Sequence, residues 1–387
     1  MRGKRESLLL LLSAGFCLIC LEVALRLFPL PLFRLADPSF FSAQSRFQFH
    51  PDLEYTLPHG TSQASTFLGD DCAQRTITIE SNDDGLREKE FDAARLVEPV
   101  VVFIGDSFTE GYHVESDSTF SARVGTRMAG GTALNFGIHN YSAYNYLLMA
   151  RWATHRLPVD MIIVGLYVGN DLWPYSRTSY RQTVPLDHLQ HAVSSRLYLV
   201  RWLEYASGRA QQDDDPPTTD PVGGHSYFED VSDCSAELTK PHVAGYRAQR
   251  LGPGSGHQYR DAWRLEKTVA ATAMVLQNLQ KAVAPIPVHV LVIPERLQLN
   301  DGKWDRLAGE QPSLYRDRFM PQQVLIPALR EARIEHTNLL PALDSTCFLR
   351  FDGHLSSEGH RRVADVALEV TQRTRSLPAD QTTDSMP

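Results

Sequence analysis

Three short stretches of this 387-residue chain bring together residue types able to carry out acyl transfer. The first is Gly105-Asp106-Ser107, in VVFIGDSFTEG. A serine that follows an apolar run and opens a helix has an exposed hydroxyl. The helix N-terminus also turns backbone N–H groups and positive potential toward developing negative charge. The second is Asp352-Gly353-His354, in RFDGHLSSEGHRR. A serine nucleophile needs a base to take its proton, and the base needs a carboxylate to fix its tautomer and stabilise its charged form. His354 and Asp352 supply both. The third is the pair Gly137 and Asn170, each just after an apolar run. With the Ser107 backbone N–H, the Gly137 N–H and the Asn170 amide make three candidate donors to an oxyanion, each worth about 3–4 kcal/mol in a transition state.

Each stretch alone has an ordinary explanation. Serine caps helices, glycine and asparagine form loops, and a histidine beside an aspartate is common in turns. Asp106 and Asp171, next to Ser107 and Asn170, read as loop supports that accept local backbone N–H bonds rather than as acids. Glu295, in VLVIPERLQL, ends an apolar run and is a weaker candidate for substrate contact. His360 follows His354 at a spacing that matches no strong metal motif. No metal and no organic cofactor is expected.

The elements that must hold these residues follow from the apolar pattern. The continuous β-branched run at 99–105 reads as a buried central strand; 133–136, 161–166 and 288–293 read as further strands, with a weaker one at 335–339. Stretches 121–129, 143–156, 261–284 and 321–332 between them read as helices, and another helical stretch follows His354. Strands alternating with helices predict a parallel sheet covered on both faces, with strand C-termini, and hence any ligand site, along one edge. The expected fold is a three-layer α/β/α sandwich, flavodoxin-like, with about five parallel strands. Four segments precede or interrupt it: 1–28 as an n-region and membrane anchor, 29–96 as an arm with short strands, an insertion at 172–260 within the 97–372 domain, and a frayed tail at 373–387. The arm shows alternation at 76–80 and then a turn in SNDDGLRE. Within the insertion, 188–209 reads as helical, and QQDDDPPTTDPVGG reads as a disordered loop.

Taken together and in this order, the motifs resemble those of the SGNH hydrolases, also called GDSL-type esterases and lipases. The first block matches GDSFTEG with Ser107, the second block's glycine matches Gly137, the third block's asparagine matches Asn170, and the last block matches His354 with Asp352. The resemblance covers about 99–372. It implies the flavodoxin-like α/β/α fold, a Ser107–His354–Asp352 triad, and an oxyanion hole from Ser107, Gly137 and Asn170. Two departures stand out: Gly169 adjoins Asn170 where the family has one residue between them, and Asp352 and His354 are two apart rather than three. A short D-x-H, an N-terminal apolar segment and a stretch like SNDDGLRE are also familiar from membrane-tethered relatives of bacterial polysaccharide O-acetyltransferase-like proteins. The expected activity is hydrolysis of an O-acyl, first of all O-acetyl, ester of an envelope carbohydrate. Transfer of the acyl group to a sugar hydroxyl, lipid ester hydrolysis and a noncatalytic envelope-binding role are the alternatives. Tyr112, Tyr141, Tyr144, Trp173 and Tyr175 lie near the key loops, where they either stack on sugar rings or pack the loops.

Composition bounds the setting. A formal charge of −8 disfavours bulk nucleic-acid binding. Arg2, Lys4 and Arg5 precede an apolar run at 7–21, which reaches the roughly 20 residues of a bilayer crossing only if continued to 28, across Glu22 and Arg26. No small-x-small cleavage site follows. The expectation is therefore a single-pass anchor in a bacterial inner membrane, with the bulk of the chain outside the cytoplasm; secretion after cleavage is the alternative. Of five cysteines, Cys17 and Cys20 lie in the apolar segment, while Cys72, Cys234 and Cys347 leave room for one disulfide, for example Cys72 to Cys234. The partners expected are an acylated carbohydrate or other ester and a membrane, with no nucleic acid.

Overall fold

The computed structural model describes residues 13, 16–23, 47–50, 52–128, 130–172, 262–313 and 315–376. The expected insertion beyond Leu172 and the tail beyond Ser376 lie outside these residues, as do Trp173, Tyr175, Cys234 and most of the first 46 residues. Two antiparallel hairpins come first: β1 (Gln48–His50) with β2 (Glu54–Thr56), and β3 (Ser62–Leu68) with β4 (Gln74–Glu80). Next come β5 (Val100–Gly105), β6 (Thr132–Gly137), β7 (Met161–Tyr167), β8 (Val288–Ile293) and β9 (Glu335–Asn338). These five form one parallel sheet in the order β6-β5-β7-β8-β9.

Side-chain alternation explains why β5 lies inside the sheet. Val100, Val102 and Ile104 join one hydrophobic cluster, and Val101 and Phe103 join the other, all fully buried. A strand apolar on both faces needs a layer of helices on each side. On one side lie α2 (Phe120–Arg127) and α7 (Ser357–Ser376), contributing Phe120, Val124, Val363 and Ala367. On the other lie α3 (Ala143–Arg156), α4 (Ala262–Val283) and α6 (Met320–Glu331), contributing Tyr146, Met149, Leu276 and Leu325. The expected three-layer α/β/α arrangement with a parallel sheet is therefore present. The chain moves from β5 to β6 on one side and then to β7 on the other, so β5 is the point where strand order reverses, the usual ligand position in such sheets. The one-turn helix α1 (Ser107–Glu110) starts there.

The hairpins are not a separate module. Phe47, Leu53, Leu57, Phe67, Ile77, Ile79 and Leu86 belong to the same cluster as α3 and the sheet. Helix α5 (Asp301–Glu310), which sequence periodicity did not single out, buries Trp304 and Leu307 against Leu297 and Tyr315 in a small satellite cluster. Cys72 is disulfide-bonded, while Cys17, Cys20 and Cys347 are free. Among the described residues no helix is long and apolar enough to cross a membrane.

Candidate active site

Ser107 stands at the first position of α1, directly after β5, and Asp106 caps the turn by accepting from Phe108 N with Oδ1 at 2.9 Å. The turn closes at Gly111, whose φ of 79° is a left-handed value that glycine adopts without a steric cost. It lies flat on the sheet because of three glycines. Gly105 is in register with Gly137 on β6 and Gly165 on β7. A Cβ on Gly105 or Gly165 would fall 2.0 or 2.4 Å from Thr109 Oγ1, and one on Gly137 would fall 2.2 Å from Glu110 N. Three glycines, at the ends of β5 and β6 and within β7, thus form a bare seat that the nucleophile turn occupies.

His354 arrives from the far end of the chain, on the loop between a 3-10 turn (Ser345–Cys347) and α7. Its Nε2 lies 2.8 Å from Ser107 Oγ, and both residues are nearly enclosed, at 4% and 2% exposure. Its Nδ1 is hydrogen-bonded to Asp352 Oδ1. A carboxylate oxygen only accepts, so Nδ1 carries the proton and Nε2 presents its lone pair to the serine hydroxyl. Gly353, at φ 83°, makes the tight turn that lets Asp352 reach the ring despite the two-residue spacing. The same Oδ1 also accepts from His354 N at 3.2 Å. Burial works against charge on both partners. It lowers His354, but the Asp352 carboxylate outweighs it by charge and hydrogen bond and leaves the imidazole above its ordinary value. Burial likewise raises Asp352, yet the His354 and His113 rings hold its carboxyl well below the usual range. Sequence-predicted Ser107, His354 and Asp352 are therefore brought together in hydrogen-bonded order.

The predicted oxyanion donors divide. Ser107 N lies in the first turn, where a helix offers no internal acceptor. Asn170 Nδ2 donates to Asp106 Oδ2 at 3.0 Å, which fixes the amide orientation next to the nucleophile turn. Gly137 departs from expectation. Its N–H donates to Asn135 Oδ1 at 3.0 Å, so it is already engaged, and its contribution is the missing side chain beneath α1. Asp106 and Asp171 both accept N–H bonds from their own loops, from Phe108 N and Tyr167 N. Burial pushes the Asp106 carboxyl up to about 6, against the bonds from Asn170 and Phe108 N. Burial, with the charge of Asp106 adding to it, holds Asp171 well above the usual carboxylate range; Asp171 ties the end of β7 to α3 by accepting from Tyr167 N and Tyr146 Oη at 2.8 Å each.

Several expectations resolve toward packing. Tyr141 is buried and its hydroxyl donates to Tyr55 O at 2.6 Å, and Tyr144 is buried as well. Tyr112 is half-exposed, edge-on to His354 at 5.3 Å between centroids. Glu295 is buried against Gly169. His360 accepts from Phe120 N at 3.1 Å and stacks on that ring, and burial pushes it down to about 3, a structural histidine.

Sequence reasoning missed two residues. Arg87, in SNDDGLRE, is buried and donates to the carbonyls of Glu110, Gly111 and Val114, clamping the chain that leaves α1. His113, two residues past Gly111, is buried and donates or accepts through Nε2 at 3.1 Å from Asp352 Oδ2. Facing a carboxylate oxygen, that nitrogen must be the donor. His113 has φ 73°, where a non-glycine residue carries strain of about 1–2 kcal/mol. Its Nδ1 lies 3.5 Å from Ser65 Oγ on β3, and its ring lies 4.6 Å from that of Phe67. The ligand atoms of His113, Asp352 and His354 fall within 4.8 Å of one another, close enough to hold a metal ion. Yet each imidazole nitrogen nearest the carboxylate is hydrogen-bonded to it, which is the arrangement a proton-transfer triad needs.

No family model and no curated protein sequence matches the chain. Similar solved structures include a carbohydrate acetylesterase from Sinorhizobium meliloti, 10% identical over 71% of this chain and 99% of that one, with a TM-score of 0.36. An M. smegmatis aryl esterase is also 10% identical, over 71% and 98%, with a TM-score of 0.37. A GDSL-like lipase from Bacteroides thetaiotaomicron is 10% identical over 71% and 88%, with a TM-score of 0.32. The third carries in its name the GDSL class that the sequence motifs resemble.

Proposed function

We propose that this chain is a serine ester hydrolase, and the observation that carries the proposal is the 2.8 Å approach of Ser107 Oγ to a His354 whose other nitrogen is held by Asp352. Ser107 Oγ attacks the ester carbonyl as its proton passes to His354 Nε2. The new imidazolium is stabilised by Asp352. The oxyanion meets Ser107 N–H and the remaining Asn170 N–H. As the intermediate collapses, the ester C–O bond breaks and His354 returns the proton to the leaving oxygen. Water then gives a proton to His354 as it attacks the acyl-serine; the acyl–Oγ bond breaks, His354 returns the proton to Ser107 Oγ, and the acid leaves. A hydrogen-bonded nucleophile and base speak against the noncatalytic alternative, which would leave this order without a use.

Within that reaction class the substrate we favour is an O-acetyl ester of a carbohydrate outside the cytoplasm. Two observations support the setting. Cys72 is disulfide-bonded, which suits an oxidising compartment. The helical residues 16–23 expose Phe16, Leu18, Ile19, Leu21 and Val23, an apolar surface that a membrane would cover. A sugar hydroxyl in place of water would turn the same acyl-serine into a transferase intermediate. The test is release of p-nitrophenol from p-nitrophenyl acetate by the full-length protein in detergent. Ser107→Ala should lower turnover by at least about a thousandfold with an unchanged melting temperature. Turnover that survives in the variant would sink the proposal. Acetylated saccharide among the products, when oligosaccharides are added, would move the assignment to transfer.

A further inference from the structure

We propose that His113 is a positioning residue for the triad, holding the Asp352 carboxylate in the plane that His354 needs; the inference rests on the reading of Ser107, His354 and Asp352 as an ester-cleaving site. The short D-G-H loop creates the need. Asp352 Oδ1 is shared between His354 Nδ1 and His354 N, both on the same loop. Those bonds fix one oxygen and leave the carboxylate able to swing about it. The bond from His113 Nε2 to Oδ2 is the one that comes from outside the loop. It supplies the second fixed point, and two points define the carboxylate plane.

The His113 ring is itself held from behind. Phe67 on β3 packs at 4.6 Å and Tyr112 at 3.9 Å between centroids, and Ser65 Oγ approaches Nδ1 at 3.5 Å. The hairpin is in turn pinned to the D-G-H loop, where Arg350 N donates to Asp70 Oδ1 at 2.8 Å. A chain of five groups therefore runs from Ser65 through His113, Asp352 and His354 to Ser107. The left-handed backbone at His113 fits this role. A residue chosen only to turn the chain there would be glycine or asparagine, whereas histidine carries a donor the distance to Asp352.

Two substitutions separate donor placement from packing. In His113→Gln the amide nitrogen stands as many bonds from Cβ as Nε2 does, so it reaches Asp352. In His113→Asn it stands one bond short, while asparagine tolerates the left-handed backbone better than histidine does. The full-length protein is assayed for kcat and KM with p-nitrophenyl acetate, for melting temperature, and by proton NMR for the downfield His354 Nδ1–H. We expect His113→Asn to lower kcat by about 10- to 100-fold, the scale of a lost hydrogen bond to a charged group, with KM within about twofold. Its melting temperature should be kept and its downfield proton broadened or shifted. His113→Gln should return kcat to within about fivefold of wild type and restore the resonance. An Asn variant with wild-type kcat and an unchanged resonance overturns the proposal. So does a Gln variant as slow as the Asn variant at equal melting temperature. If the wild type turns over no ester, the function proposed above fails instead, and the resonance in the two variants still decides whether His113 positions Asp352.

Discussion

His354 can accept the Ser107 proton only while its own ring is neutral, and its environment shifts where that happens. Burial lowers the ring's proton affinity, but Asp352, with smaller help from Asp106 and Glu110, leaves it above the ordinary 6.5. The sign then follows. Below the shifted value the ring is protonated and Ser107 has no base; above it the base is free. Turnover at low substrate should rise with pH through a midpoint above 6.5 and level off on the alkaline side. A midpoint at or below 6.5 in the pH–rate profile would show that Asp352 does not govern the ring in solution. The same residues measure how much of the site could be read from letters alone. Ser107, Asn170, Asp352 and His354 each sit in a short motif beside a strand or a helix start, so type and spacing expose them. Gly137 was legible as a necessary glycine but not for the right reason. Whether its N–H is free depends on the side chain of Asn135, which turns back along the strand end to accept it. His113 has no motif at all, because its partner lies far away in the chain.

The sheet elements were legible where burial is two-sided. Runs such as VVVFI and MIIVGL have no polar face to confuse with a surface strand, and their boundaries came within a residue or two of β5 and β7. Helix α5 escaped because its apolar residues are few and bury only against near neighbours in the chain, Leu297 and Tyr315, and the hairpin β1–β2 because its apolar residues pack against partners distant in sequence. What no pattern reveals is the level at which glycines of different strands meet. Those at 105 and 137 look like unrelated strand stops and Gly165 like an ordinary strand residue, yet register aligns them across β6, β5 and β7. That alignment gives a prediction at the scale of the turn. In Gly137→Ala the new methyl would meet Glu110 N at 2.2 Å, and backbone on both sides leaves little room for relief. The cost should be about 1–3 kcal/mol of stability from overpacking. Lifting α1 also moves Ser107 away from His354, and a shift near 1 Å is enough for about a hundredfold loss of rate. Thermal melts and p-nitrophenyl acetate kinetics on the variant would check both; turnover close to wild type would mean the turn does not rest on this seat.

At the scale of the molecule, the arm and the sheet domain behave as one body. Residues 29–96 read from sequence as an arm with short strands, whose apolar area gives little sign of where it packs. Among the described residues of the arm, Phe47, Leu53, Leu57, Phe67, Ile77, Ile79 and Leu86 complete the core over α3, and Arg87 reaches into the loop behind the nucleophile. A guanidinium fork spans the carbonyls of Glu110, Gly111 and Val114 at once, which a lysine ammonium on its single point cannot do. Arg87→Lys should therefore destabilise the protein by about 3 kcal/mol and slow turnover, as two carbonyls lose a charged donor. Denaturant unfolding compared with the wild type would measure it, and a change under about 0.5 kcal/mol would show that water replaces the fork without penalty.

The nucleophile and its base are 247 residues apart, on the first sheet strand's exit and on the loop before the final helix. Chain order therefore sets a schedule. While the protein is being made, Ser107 exists long before His354 does, and β5 can pair and bury without conferring reactivity. Competence arrives last, when α7 docks beside α2 and carries the D-G-H loop to the serine. An unfinished or C-terminally clipped chain would hold a serine hydroxyl with nothing to take its proton, and would remain chemically silent among the esters around it.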